Sequence, residues 1–217
     1  MFSAEICVFN SIANGFLLLY KKFTIFAIGH LIGGHTVEID ISNAFIETER
    51  LILRPWCKED LQDFYEYASV PGVGEMAGWK HHESIDKSEE ILKLFIEGKS
   101  TFAVQYKENN KVIGSLGIHG SWTSKDEKYA HLNSKEIGYV LSKKFWGKGL
   151  MAEAVKAVIN YCFSELGLEA LTICHFVENI QSKRVIEKCG FEFVKYDKYY
   201  AKDLEKEFDE MQYILMP

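Results

Sequence analysis

Between residues 136 and 154 the chain reads Glu-Ile-Gly-Tyr-Val-Leu-Ser-Lys-Lys-Phe-Trp-Gly-Lys-Gly-Leu-Met-Ala-Glu-Ala. A short apolar run enters a loop with glycines at 147 and 149, and the loop opens directly into a segment of helical periodicity. Glycine lets a backbone adopt left-handed angles and approach a ligand closely. The first turn of a helix presents unpaired N–H groups and the positive end of its dipole. Together these features make an anion site suited to a pyrophosphate. Gly147 and Gly149 form its cradle, Leu150 begins the helix, and Lys144 and Lys148 can add charge. A tight turn before an ordinary helix can use the same two glycines, so the flanking residues must decide.

Two other phosphate loops fail on spelling. A Walker loop requires Gly-x-x-x-x-Gly-Lys-Ser/Thr, which this loop does not contain. A dinucleotide fingerprint wants a third glycine three residues after Gly149, where Ala152 stands, and an acidic residue about 20 positions on. Glu169 meets that spacing, but it begins the next strand instead of ending it.

Around this loop the periodicities predict an α+β domain. Phe45 to Arg54 reads as a strand closed by Pro55, and Lys58 to Ser69 as a helix. Ser84 can cap a second helix that runs to Glu97 with Gly98 as its stop. Apolar alternation predicts strands around Phe102–Tyr106 and Val112–Ile118, joined at Asn109-Asn110. A further strand runs from Glu136 to Ser142. Met151, Val155, Val158 and Cys162 then fall on one helical face. A short strand over Leu171–Val177, a helix over Asn179–Cys189 and a hairpin of Phe191–Tyr200 with Phe208–Leu215 complete the chain.

The formal net charge of −6 over 217 residues argues against a nucleic-acid partner, whose binding calls for a basic patch, and it is compatible with a cationic substrate. The 5 cysteines form no Cys-x-x-Cys pair, and His119, His131 and His175 lack ligand spacing. Free thiols in a reducing, cytoplasmic compartment are therefore expected, without a zinc site. Near the N-terminus, Phe16–Tyr20 and Phe23–Ile32 are apolar, but Lys21 and Lys22 divide them. That interrupts a membrane span, and no basic region precedes the run as a signal peptide needs.

The loop resembles the acyl-CoA-binding motif of GNAT acetyltransferases, Arg/Gln-x-x-Gly-x-Gly/Ala, spelled here Lys144-x-x-Gly147-x-Gly149. The resemblance extends over residues 45 to 217. Arg50-Leu-Ile-Leu-Arg-Pro55, Met76-Ala-Gly-Trp79 and Asn179-x-x-Ser182-x-Arg184 with Glu187-Lys-Cys-Gly-Phe191 are similar to the RimJ/RimL branch, which acetylates protein N-terminal amines and whose relatives acetylate small amines. It implies a GNAT fold: a central, mostly antiparallel twisted sheet flanked by helices, with two strands splayed at the acetyl-CoA site. It implies acetyl-CoA as co-substrate, no metal, and an amine acceptor. By the same resemblance Val140, Leu141 and Ser142 lie beside the pantetheine arm and the acetyl carbonyl, and Asn179 faces the pantetheine. The Trp79, His81 and His82 region would border the acceptor pocket, although the two histidines read more simply as loop residues. Lys183 and Arg184 read as a solvated helix face within reach of the cofactor's ribose phosphate.

Amine acetylation needs a base for the amine and a proton for the leaving thiolate. Glu136, at the start of the strand before the loop, is the candidate base, and a solvent-exposed strand end is its plain alternative. Many GNAT enzymes carry a tyrosine acid seven residues after the Asn. Ile186 stands there, which leaves Ser182 as the nearest hydroxyl of the motif. A non-catalytic GNAT module that binds acetyl-CoA for regulation is the rival reading. Residues 1–44 fall outside the resemblance and are expected to be an extension that the chemistry does not need, packed on the domain or on a second copy as in a homodimer.

Overall fold

The computed structural model describes residues 37–217; the apolar stretches at 16–20 and 23–32 lie outside the described residues. Eight strands form one sheet in the order β1-β2-β3-β4-β5-β6-β8-β7. They are β1 (Ile46–Glu47), β2 (Leu51–Pro55), β3 (Thr101–Tyr106), β4 (Val112–Gly120), β5 (Ser134–Leu141), β6 (Ala170–Phe176), β7 (Glu192–Ala201) and β8 (Lys206–Leu215). The helices are α1 (Leu61–Ala68), α2 (Ile85–Gly98), α3 (Leu150–Ser164) and α4 (Ile180–Lys188). Every neighbouring pair runs antiparallel except β5 and β6, which are parallel. The element order matches the one expected from periodicity except at the start, where the single strand expected over Phe45–Arg54 is two strands, β1 and β2, paired antiparallel across a turn.

The parallel pair is short. Ser134–Ile137 of β5 register with Ala170–Ile173 of β6, and there the pairing stops. Beyond it β6 follows β8 from Leu171 to Phe176, while Gly138–Leu141 keep β4 as their sole strand partner. The sheet therefore forks after Ile137, with its continuous half on either side of a gap.

The two faces of the sheet are covered differently. On one, α3 and α4 bury Met151, Val155, Val158, Cys162 and Ile186 against Leu51, Leu53, Phe102, Leu116, Ile137 and Ile173. The helical face expected for α3 is the buried one, and the helix is apolar nearly all round because it lies over the sheet centre. On the other face, α1 and α2 pack Phe64, Tyr67, Ile91 and Leu92 with Trp56, Ala103 and Val112. The β5–β8 half of that face has no α-helix over it; the 3-10 turn Trp122–Lys125 lies there, with the preceding Ser121 2.9 Å from Thr172, beside a small apolar cluster of Phe176, Ala201 and Phe208 and a set of polar side chains.

Local signals account for most boundaries. Ser84 accepts from the Lys87 N–H at 3.3 Å and caps α2. Asn179 Oδ1 accepts from Ser182 N at 3.1 Å and caps α4. The end of α2 differs from expectation: helix geometry continues through Gly98, and Lys99 takes the left-handed cap at φ 49°. Tertiary contacts hold it there. Lys99 O accepts from Ile41 N at 2.9 Å, and its ammonium pairs with Asp40.

That contact belongs to a segment assigned on sequence to the extension. Ile39 and Ile41 pack into the main core at 7% and 1% exposure. A chain starting at Phe45 loses both side chains from the core, at about 1.5–3 kcal/mol of apolar burial each. It should therefore unfold several degrees below a chain starting at Val37, as thermal denaturation would read. Equal midpoints would show that the segment adds nothing to the core.

His82 is buried between α1 and α2, against Phe64 and Trp79, with Nδ1 2.7 Å from Ser88 Oγ. Burial pushes its pKa down to about 4. The folded state thus disfavours the imidazolium, and the unfolded chain binds the extra proton between pH 4 and about 6.5. Its contribution to stability is present above that window and is lost as pH falls through it, by at most about 1.4 kcal/mol per pH unit. His82→Gln should flatten the denaturant-measured stability profile by up to one proton in that range, and an unchanged slope would refute the assignment.

Candidate active site

At the fork, β5 ends at Leu141, and Ser142 leads into a 3-10 turn, Lys143–Phe145, before the loop enters α3. Gly147 and Gly149 both adopt φ 77°, which a side chain resists. Around Gly147 a Cβ would meet nothing within 4 Å, so the loop borders open space. Gly149 is the N-cap of α3 and supplies no capping side chain. Unlike α2 and α4, this helix leaves its first-turn N–H groups to a ligand.

The loop is clamped from behind. Glu153, in the first turn of α3, accepts from Thr48 Oγ1 at 2.6 Å, Arg50 N at 2.8 Å and Arg50 Nε at 2.7 Å. Arg50 Nη1 reaches Lys148 O at 3.0 Å. Burial opposes the charge of Glu153, but the Thr48 and Arg50 hydrogen bonds outweigh it and hold its pKa below the ordinary value. The β1–β2 turn thereby fixes the loop with its glycines facing outward.

A cleft of about 420 Å³ runs from the loop into the fork. Among the candidate residues, Val140, Leu141, Gly147, Gly149, Leu150, Asn179 and Ser182 line it. The remaining candidates lie elsewhere. Ser142 is buried, with its N–H on Ile113 O. Lys144 extends to Glu66 of α1 at 2.6 Å. Lys148 lies over the Phe145 ring, 4.9 Å from its centroid. The positive field at the loop is therefore chiefly that of the α3 backbone, while Arg184 and Lys188 of α4 add cationic side chains to the cleft wall.

Reasoning from sequence missed two lining residues. Trp146 donates Nε1 to Leu141 O at 2.7 Å, pinning the end of the diverging strand. Tyr139, read as plain strand, points its hydroxyl at Ser182 Oγ, 2.8 Å away, and burial raises its pKa. Its position two residues after Ile137, on the core face of β5, is the signal that alternation would have offered. Ile186, where a tyrosine acid was sought, is fully buried in the core. Tyr139 and Ser182 thus set two linked hydroxyls into the cleft from strand and helix.

Glu136 faces the opposite side of the sheet. It is half-buried opposite His119 and Thr172. The thiol of Cys174 lies 3.5 Å from its Oε2. Burial pushes that thiol far up, and the charges of Glu136 and Glu210 add to the effect. Gln212 donates to Glu210 and Asp197 on the same face. The result is a carboxylate-rich stretch of that face beside the fork. The Gly74–Gly78 turn lies near it, and its Met76 carbonyl accepts from Asn179 Nδ2 at 3.3 Å. A Cβ at Gly78 would fall 2.9 Å from Tyr199, so this turn packs directly on β7. Of the residues expected at the acceptor side, Trp79 packs in the second core, and His81 pairs with Glu75 at 2.7 Å.

A cleft ending in an uncapped helix start, with a strand fork and a carboxylate-rich sheet face beside it, suits a long anionic cofactor on one side and a cationic acceptor on the other. Comparison with known proteins agrees. Residues 50–192 match the acetyltransferase (GNAT) domain model. The uncharacterized N-acetyltransferase YnaD of Bacillus subtilis is 29% identical over 181 residues, which span 76% of this chain and 99% of YnaD. The crystal structure of a GNAT-family acetyltransferase from Bacillus anthracis superposes with a TM-score of 0.69 at 26% identity, over 79% of this chain and 98% of that one. The microcin C7 self-immunity acetyltransferase MccE, solved with acetyl-CoA and AMP, shares the fold with a TM-score of 0.64 at 17% identity, over 78% and 94% of the two chains. The fork, the loop and the matched domain place this chain in the GNAT family of acetyl-CoA-dependent N-acetyltransferases.

Proposed function

We propose that the chain acetylates a primary amine, either the α-amine of a protein N-terminus or a small-molecule amine, by direct attack of that amine on the acetyl-CoA thioester. One observation carries this reading: beside the fork that ends the cofactor cleft, Glu136, Glu210 and Asp197 stand on one face of the sheet. Such a field favours an ammonium on arrival. The RimJ/RimL-like motifs support an α-amine acceptor. The chemistry is assigned to the domain from residue 45 onward, with Ile39 and Ile41 completing its core. The four described cysteines are free thiols, which supports a reducing, cytoplasmic location. Among the described residues no helix is long and apolar enough to cross a membrane.

In this reading the uncapped first turn of α3 receives the pyrophosphate. The unpaired edge of Gly138–Leu141 offers backbone groups to the pantetheine arm and the acetyl carbonyl. Asn179 holds the Met76 turn against the cleft while it caps α4. The attacking nitrogen forms the new C–N bond and gives up a proton, which Glu136 takes directly or through water. The C–S bond breaks, and Ser182, hydrogen-bonded to Tyr139, steadies or protonates the departing thiolate. The linked hydroxyls favour an enzyme over a non-catalytic cofactor-binding module. Release of free thiol from acetyl-CoA, followed across N-terminal peptides, polyamines and amino sugars, tests the reading; cofactor binding without turnover on any of them would favour the module.

Gly147→Val would place a side chain in the open space of the cradle and strain a left-handed residue. Acetyl-CoA affinity should fall roughly 5- to 150-fold, about 1–3 kcal/mol, when measured by calorimetry. Unchanged affinity would move the cofactor elsewhere.

Glu136→Gln should lower kcat by about 10²–10⁴ while acetyl-CoA still binds, the usual range for positioned proton transfer. Ser182→Ala should cost less, because water can replace a hydroxyl donor. Near-normal turnover of the Glu136 variant across the pH range would reduce that carboxylate to a strand-end charge.

A further inference from the structure

Beside Glu136, on the same face of the sheet, lies a histidine that the proposed reaction does not use. His119 of β4 is the cross-strand neighbour of Glu136. Its imidazole does not stand upright over that neighbour. It leans over the adjacent cross-strand pair, Gly117 and Gly138. A Cβ at Gly117 would fall 2.2 Å from His119 Nε2, and one at Gly138 would fall 3.4 Å from Cδ2. Only a residue without a side chain at 117 leaves the ring its place. Gly138 is also the first residue of β5 after its last pairing with β6. The imidazole therefore sits where the two strands part, one residue from Tyr139 of the cleft.

The ring has no hydrogen-bond partner among the described residues. The buried histidines His82 and His175, by contrast, each bond a neighbour through Nδ1. A histidine serving only the packing is expected to be tied down in the same way. This one lies at the fork with its nitrogens uncommitted among the described residues, and the residue keeps partial contact with solvent.

We propose that His119 is a catalytic residue of the acetyl transfer: its imidazole accepts the proton of the attacking amine at the fork and passes it to Glu136. The assignment rests on the acetyl-transfer reading above. The nitrogen lone pair forms a bond to the thioester carbonyl carbon. Once that bond exists the nitrogen is strongly acidic, and its proton moves to an imidazole nitrogen. The C–S bond breaks with its electron pair on sulfur, and the imidazolium releases the proton through Glu136 to solvent or to the thiolate. The products are the N-acetyl amine and the free thiol, with the imidazole neutral again. Burial pushes the His119 pKa down to about 4, so the lone pair is available throughout the neutral range. A base this weak would not deprotonate a free ammonium, but it can take a proton from the acidified nitrogen of the addition step.

The test uses the full chain, acetyl-CoA and an amine that the wild type acetylates. His119→Phe keeps a ring over the two glycines without a nitrogen. It should lower kcat roughly 100-fold, with acetyl-CoA affinity within about twofold and the melting midpoint close to wild type. His119→Ala should lose a similar factor and regain part of it when imidazole is added to the buffer. This second variant serves equally if the phenylalanine destabilises the fold. A kcat within about threefold of wild type, a loss matched by weaker acetyl-CoA binding, or an alanine variant indifferent to imidazole overturns the assignment. A wild type that acetylates none of the amines overturns the acetyl-transfer reading instead, so the two failures are told apart.

Discussion

The separation of β5 from β6 after the Ile137–Ile173 pair is the constraint on which the site depends. Backbone groups inside a protein are nearly always paired, yet Gly138–Leu141 leave one edge without a strand. The fold supports that edge by other means. Trp146 donates to Leu141 O, and Ser142 N reaches Ile113 O, which ties the strand end to β4. Tyr139 is held against Ser182 of α4 across the gap. Only the inward edge of the strand is left for a ligand. Because β6 is carried away by its full-length pairing with β8, the fork stays open without any ligand to hold it.

The second constraint is electrostatic. An uncapped helix start is unfavourable unless something satisfies its N–H groups. Two of the four described α-helices have capping side chains that do so, and α3 has a glycine in left-handed geometry. The acidic residue of its first turn, Glu153, favours the dipole but turns its carboxylate toward Thr48 and Arg50, on the side away from the cleft. Arg50 in turn holds the Lys148 carbonyl. A single ion pair therefore fixes the loop while leaving the helix end free. Such a pair is partly exposed and adds little to stability on its own. Its effect is on geometry.

Much of this was legible in the sequence. The loop, its glycines and the helix after it form one continuous signal, and the order of elements followed from periodicity and caps. What stayed hidden depended on contacts between distant segments. Lys144 looked like a phosphate ligand until α1 brought Glu66 to it. Ile39 and Ile41 looked like tail residues, because two isolated isoleucines carry no periodic pattern. Lys99 replaced Gly98 as the left-handed cap, since its carbonyl answers to Ile41 rather than to local propensity. Tyr139 reads as one more apolar strand residue. Its role depends on which face of β5 turns toward α4, and strand alternation fixes that only once the parallel partner is known. The pairing of β5 with β6 joins residues more than 30 positions apart across a helix, which no local motif announces.

The unequal covering of the sheet accounts for the different chemistry of its two faces, one proposed for the cofactor and the other for the acceptor. Under α3 and α4 the face is apolar throughout, because two helices cover it from β2 to β6. On the other face α1 and α2 reach only as far as β4 and Val140. There Phe176, Ala201 and Phe208 form a small apolar cluster of their own. Beside it stand Glu136, Thr172, Cys174, Glu210 and Gln212, and several satisfy one another. Thr172 and Gln212 are buried, and the carboxylates of the set make the ground around the fork electronegative. In the proposed reaction a cationic amine approaching the gap meets carboxylates before it meets the thioester, whereas the cofactor enters from the side of the α3 dipole and the basic residues of α4. The two proposed reactants carry opposite charge, and the fork is the opening in the sheet where their two fields meet.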